Sequence, residues 1–183
     1  MKKLICEIIL ASVICSGVAA AEVLDAGQGG FTTVNEVLIN APRTAVWQAA
    51  IGEIDAWWNS DHTISGDASR LSISARPLGC FCEKFGDNAG VVHLTVTMVN
   101  PLVLLRLTGG LGPLGLMGVN GNMTWEFEDA EGGTRVKFTY AVGGYRAGGL
   151  DAISVPVDYV IGEALQRMKA HIETGDAGNA VIG

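Results

Sequence analysis

The chain has 183 residues, 49% of them hydrophobic and only 17% charged, with a formal net charge of −7. Its few Lys and Arg are scattered singly, which excludes the basic patch that a nucleic acid or an anionic membrane surface requires. Of its four cysteines only Cys80 and Cys82 lie beyond residue 21, and two thiols make no multi-bridge framework, so a hydrophobic core must hold the fold, and the length suits one domain.

Residues 1–21 read as a secretory leader. Met1-Lys2-Lys3 is a basic start, Leu4 to Val18 is an apolar run shorter than the roughly 20 residues that span a bilayer, and Ala19-Ala20-Ala21 offers a small-residue cleavage site before Glu22. Val13-Ile14 ahead of Cys15 do not provide the small residues of a lipoprotein signal. The expectation is an exported protein, periplasmic or secreted, with no membrane span after cleavage and with Cys80 and Cys82 as its remaining thiols.

Residues 22–30 form a flexible lead ending in Gln28-Gly29-Gly30, and the domain proper covers 31–174. Thr33 to Asn40 alternates as a strand, with Thr33, Asn35, Val37 and Ile39 on one side and Val34, Glu36 and Leu38 on the other. Ala41-Pro42 starts a helix whose apolar face is Val46, Trp47, Ala50 and Ile51, and a short second helix carries Ile54, Trp57 and Trp58. Strands over 71–76, 79–85, 91–99 and 102–108 follow as an antiparallel meander. Met123 to Glu128 and Arg135 to Gly143 then make a hairpin, with Met123, Trp125, Phe127, Val136, Phe138, Tyr140 and Val142 on its buried face. A closing helix over about 151–174 places Ile153, Val157, Val160, Ile161, Ala164, Leu165, Met168 and Ile172 at helical spacing, with Glu163, Gln166, Arg167 and Lys169 on the opposite side. Pro156 either starts or kinks it, Gly175 stops it, and 175–183 is a flexible tail. The fold class is α+β: a curved antiparallel sheet wrapped around a long C-terminal helix, with two short helices after the first strand and an apolar cavity between sheet and helix.

Three groups of residues could carry chemistry. A hairpin centred near Asn88 sets Glu83 opposite His93 and Cys82 beside Leu94, with the thiols facing inward alongside Val92, Leu94, Val96 and Met98. In one reading Cys82, Glu83 and His93 are then a thiol nucleophile with a nearby base, or a soft-metal site. In the other, Cys80 and Cys82 are small buried hydrophobes and Glu83/His93 is a solvated cross-strand pair. Two thiols and one His fall short of a structural zinc set, so no metal or cofactor is expected, and a disulfide between residues two apart on an extended strand lies near the upper limit of permitted separation. Asp61-His62 reads as a solvated loop, and His171 as a partner of the helix C-terminus. The charge-free stretch from Gly109 to Gly121, with Leu111, Leu114, Leu116 and Met117, is a lid over the cavity, a loop packed on the protein itself, or a patch for a partner or membrane. Trp57, Trp58, Trp125 and Tyr140 provide aromatic walls for a ligand, Leu114, Met117, Val157, Ile161 and Met168 aliphatic ones, and Arg106 a counter-charge.

The order of these features carries a resemblance. The first strand, the Ala41-Pro42 helix start with Val46 and Trp47, the Trp57-Trp58 pair, the Gly79-Cys80-Phe81-Cys82-Glu83 strand, the Thr124-Trp125 strand with its Gly132-Gly133-Thr134 turn, and the closing helix resemble the START/SRPBCC superfamily. Within it they are most similar to the heat-shock-ATPase-activator-homologue-like and polyketide cyclase-like group, over about 31–174. The resemblance implies a helix-grip fold with a cavity that takes lipids, hormones, polyketides or aromatic compounds, and in some branches catalyses cyclisation or ring oxidation. The leader sets this chain apart from cytosolic chaperone-activator members, and the iron-sulfur motif of the ring-hydroxylating branch is absent. The function expected is binding of a small hydrophobic or aromatic molecule. The alternatives are a cyclase or hydrolase using Cys82 with Glu83/His93, and a module that holds an envelope protein partner.

Overall fold

The computed structural model describes residues 20–182, so the expected leader up to Ala19 lies outside the described residues. Eight antiparallel strands form one sheet in the order β1-β2-β8-β7-β6-β5-β4-β3. They are β1 (Ala20–Gly27), β2 (Gly30–Ile39), β3 (Leu71–Ile73), β4 (Cys80–Gly86), β5 (Ala89–Asn100), β6 (Leu104–Gly109), β7 (Gly118–Ala130) and β8 (Gly133–Tyr145). Three helices accompany them: α1 (Arg43–Gly52) and α2 (Ile54–Trp57) after β2, and α3 (Ser154–Thr174) at the end. This is the expected α+β helix-grip arrangement.

Alternation decides which residues face α3. In β2 the buried set is Phe31, Thr33, Asn35, Val37 and Ile39, and in the β7/β8 hairpin it is Met123, Trp125, Phe127, Val136, Phe138, Tyr140 and Val142. The hairpin closes through the two-residue turn Glu131-Gly132, where Gly132 takes φ +86 that a side chain would disfavour. The α3 stripe of Ile161, Ala164, Leu165 and Met168 covers this face. Pro156 falls in the first turn of α3, where it has no intrahelical donor to lose, so the helix runs without a break to a left-handed Gly175. Asn35 Nδ2 donates to Asp158 Oδ1 at 2.9 Å, tying β2 to α3.

Two segments are more ordered than the sequence suggested. The lead expected over 22–30 is mostly edge strand, since β1 pairs with β2 from Ala20↔Glu36 to Gly27↔Gly30. The tail expected over 175–183 turns back through a short 3₁₀ segment, Ala177–Asn179, and buries Ala177 in the core. Neither segment has the apolar periodicity that would have announced it; each is ordered by the neighbour it lies against.

Candidate functional site

The interior between sheet and α3 is filled by side chains. Trp57, Trp125, Phe127, Phe138, Tyr140, Ile161 and Met168 are all buried within one core cluster. Two surface hollows lie elsewhere, one lined by Gln28 and 144–149 and another along Gly27, Gly30, Thr32, Asn120 and Ala141. The apolar cavity expected from the sequence is therefore closed in this structure, because these five large aromatic side chains occupy the centre of the grip.

Those aromatics form a continuous path. Phe138 stacks on Trp125 with centroids 4.3 Å apart, Trp125 lies 6.1 Å from Trp57, Trp57 5.8 Å from Trp58, Trp58 5.3 Å from Phe81, and Phe81 5.5 Å from His93. Offset and edge contacts of this kind hold ring positions beyond what area burial gives. The indole N–H groups are treated unequally. Trp57 Nε1 donates to Ala49 O at 3.1 Å and Trp58 Nε1 to His62 O at 3.2 Å. Trp125 Nε1, fully buried, has no acceptor among the described residues.

The path ends on a buried hydrogen-bonded pair. His93 Nε2 lies 3.0 Å from Glu83 Oε2, both side chains are almost completely enclosed, and Glu83 also accepts from the backbone N–H groups of Ile64 (3.1 Å) and Ser65 (2.6 Å). Burial pushes the Glu83 carboxyl up, but hydrogen bonds from Ser65, Ile64 and His93 outweigh it and hold the group below its ordinary value. The N–H of Gly112 donates to His93 Nδ1 at 3.3 Å, so Nδ1 is the unprotonated nitrogen and Nε2–H is the donor to Glu83. The second ring nitrogen of His93 is thereby held by the 109–121 loop.

A bulge creates this pair. Phe81 pairs with Leu94 and Cys82 with Val92, which leaves His93 as the extra residue on β5 and turns it inward beside Leu94. A second irregularity leaves Thr97 extra between Val96 and Met98. The stripe Val92, Leu94, Val96, Met98 is thus split: Leu94 and Val96 are buried, whereas Val92 and Met98 are 58% and 43% exposed. The register and faces expected from the sequence are corrected accordingly. Glu83 pairs with Val91 rather than His93, Phe81 and Glu83 face inward, and Cys80 and Cys82 face out, half-buried.

Cys80 and Cys82 are joined by a disulfide, with Cα atoms 5.4 Å apart. That spacing is shorter than two extended residues span, and it coincides with the bulged stretch of the ladder. Cys82 therefore has no free thiol and faces away from Glu83 and His93, so the nucleophile-and-base reading has no geometry to support it. Neither does the reading of the thiols as buried hydrophobes. Closing so short a loop stabilises little, about 1.5 kcal/mol by chain entropy against about 3 kcal/mol for a fifteen-residue loop.

The 109–121 loop packs on the protein itself. It contains a short 3₁₀ segment, Gly112–Leu116, with Leu114 buried, Met117 partly buried and Leu116 91% exposed. Tyr140 fastens it: the hydroxyl accepts from Leu111 N at 3.1 Å and donates to Gly109 O at 2.9 Å. Burial pushes the Tyr140 hydroxyl up to about 12, so it remains a donor at any ordinary pH. The Tyr140 ring sits over Gly121, where an added Cβ would come within 2.5 Å of it.

The remaining expected site residues separate clearly. Trp57, Trp58, Leu114, Trp125, Tyr140, Ile161 and Met168 are in the core and Val157 and Met117 are packed against it. Arg106 is not. It is exposed on the outer face between inward Leu105 and Leu107, with Nε donating to Thr97 Oγ1 at 3.3 Å, so it offers no counter-charge inside. Sequence reasoning also missed a second buried carboxylate. Glu163, expected on the solvent side of α3, accepts from Asn59 Nδ2 at 2.7 Å and contacts His62 Nε2 at 2.7 Å. His62 is therefore bound to α3 rather than solvated, and His171 pairs with Glu53 at 2.7 Å rather than with its own helix end. Glu163 and Glu83 together pin the segment 59–65 from the helix and the sheet.

Comparison with solved structures agrees with this architecture. The conserved protein EF2215 from Enterococcus faecalis superposes with a TM-score of 0.57 at 12% identity, over 90% of this chain and 80% of that one. CalU16 from Micromonospora echinospora gives 0.57 at 16%, over 87% and 83%. The Aha1 dimer from Colwellia psychrerythraea gives 0.55 at 16%, over 79% and 97%. At these identities the likeness is one of fold. No family model and no curated protein matches the chain.

Proposed function

We propose that the protein is an exported binder of a small hydrophobic or aromatic molecule bearing a hydroxyl or carbonyl group, taken up between sheet and α3 when the 109–121 loop lifts. The observation that carries this reading is the unpaired, fully buried N–H of Trp125, which lies in an aromatic interior where a missing acceptor costs about 1–3 kcal/mol. A ligand oxygen would supply the acceptor. Two further polar groups are occupied only by loop backbone, His93 Nδ1 by Gly112 N–H and Tyr140 Oη by Leu111 N–H, and a lifted loop would leave both for a ligand hydroxyl. The basic start and apolar run of the leader support export.

Titration with a hydroxylated aromatic fluorophore tests this reading. Saturable binding with a change in tryptophan emission is expected, and Trp125→Phe should weaken it roughly five- to tenfold, the value of about one hydrogen bond. Equal affinity in wild type and Trp125→Phe would remove the basis of the proposal. The filled interior favours a second reading, a module that holds an envelope protein partner through its apolar loop, where Leu116 is 91% exposed. Native mass spectrometry of protein from its own host separates the two: a co-purifying small molecule supports the first, a co-purifying polypeptide lost on Leu116→Asp the second.

A further inference from the structure

We propose that the Cys80–Cys82 disulfide is a thiol–disulfide exchange site that oxidises dithiols of an extended peptide or protein segment. The bond does little structural work where it stands. It joins residues two apart on β4, a strand already held by the β3 ladder on one side and the β5 ladder on the other, so it fixes no contact that the sheet does not fix. Both cysteines are half-buried on the outer face, away from the core, and are therefore within reach of a partner sulfur. The surroundings suit a thiolate and an apolar peptide. Lys84, exposed, follows two residues after Cys82 on the same side of the strand, where a cation favours the ionised sulfur. Val92 is directly across from Cys82 and is 58% exposed, and Leu78, 87% exposed at a positive φ of 65, precedes the pair.

The exchange balances without a further reactant. One substrate thiolate attacks Cys80 Sγ and breaks the Sγ–Sγ bond. Cys82 leaves as a thiolate beside Lys84 and takes up the proton released by the substrate thiol. The second substrate thiol attacks the mixed disulfide and releases Cys80 as a thiol. Two electrons and two protons pass from the substrate dithiol to the cysteine pair, and the substrate leaves as a disulfide.

The wild-type protein in glutathione buffers of graded ratio, alkylated and weighed, gives the first measurement. Complete, reversible reduction with the far-ultraviolet circular dichroism unchanged is expected, followed by stoichiometric oxidation of a reduced two-cysteine peptide by the oxidised protein. Cys82→Ala, challenged with the oxidised peptide, should accumulate a mixed disulfide on Cys80, and Lys84→Ala should slow peptide oxidation several-fold. A bond that resists excess glutathione, that is reduced only where the fold is lost, or that is reduced without transferring oxidation to the peptide overturns the proposal. The wild-type arms decide the matter even where a variant does not fold.

Discussion

Glu83 is the residue on which most of the interior polarity converges. Its enclosed carboxylate satisfies three donors, Ile64 N, Ser65 N and His93 Nε2. Removing one partner from such a set leaves the others buried and unpaired. Glu83→Gln keeps the shape but turns an acceptor into a donor against backbone N–H groups, and should cost about 2–3 kcal/mol at pH 7. Because the folded-state pKa of Glu83 is depressed, its contribution is present above the ordinary value of 4.5 and is lost as the pH falls through the lower folded value. The wild type should therefore approach the variant in stability toward pH 3. Urea unfolding of both proteins at pH 7 and pH 3 checks this; a gap that stays constant would mean that the charge adds nothing.

At the scale of elements, the tie between β2 and α3 has the opposite pH sign. Burial pushes the Asp158 carboxyl up, only partly offset by the Asn35 hydrogen bond. The folded protein thus binds a proton more readily than the unfolded chain, and stability falls as pH rises from 3.8 through the raised folded value. Asp158→Asn keeps an oxygen for Asn35 Nδ2 and removes the partly buried charge. Its melting temperature should exceed that of the wild type at pH 7, with the advantage gone below pH 3.8. Gly121 in β7 should tolerate no side chain, since Gly121→Ala drives a methyl into the Tyr140 ring and loosens the 109–121 loop. Faster amide hydrogen exchange at Leu111 and Gly112 in that variant is the expected readout.

Regular elements were legible because their patterns are regular. The β7/β8 faces, the α3 stripe and the Pro42 start all follow from period and turn chemistry. Where the reading failed, something broke the period or came from another layer. The bulges at His93 and Thr97 each add one residue, and a period-two reading has no means of placing them, so the Cys and Glu faces of β4 were exchanged. Glu163 lies opposite the sheet-facing stripe of α3, as its spacing says, yet it is buried because the 59–62 segment covers that side. The tryptophans and Tyr140 were identifiable as interior residues; that they fill the interior instead of lining a space depends on their packing, which no periodicity encodes.

For the molecule as a whole, the question is whether the closed interior opens. Met117 and Ile161 lie on its two sides, Met117 partly buried on the 109–121 loop and Ile161 fully buried on α3. A charge at each position acts differently. Asp at 117 can swing into water with the loop, so Met117→Asp should leave the melting temperature nearly unchanged while weakening capture of an apolar fluorophore. Asp at 161 must be desolvated against Leu165 and the sheet, so Ile161→Asp should lower both binding and stability, the latter by about 3 kcal/mol or more. Thermal melts and fluorophore titrations on the same preparations separate the two effects. If the wild type binds no fluorophore and Met117→Asp leaves its tryptophan emission unaltered, the aromatic interior is a plain core, and the exposed loop is better understood as a surface for a protein partner.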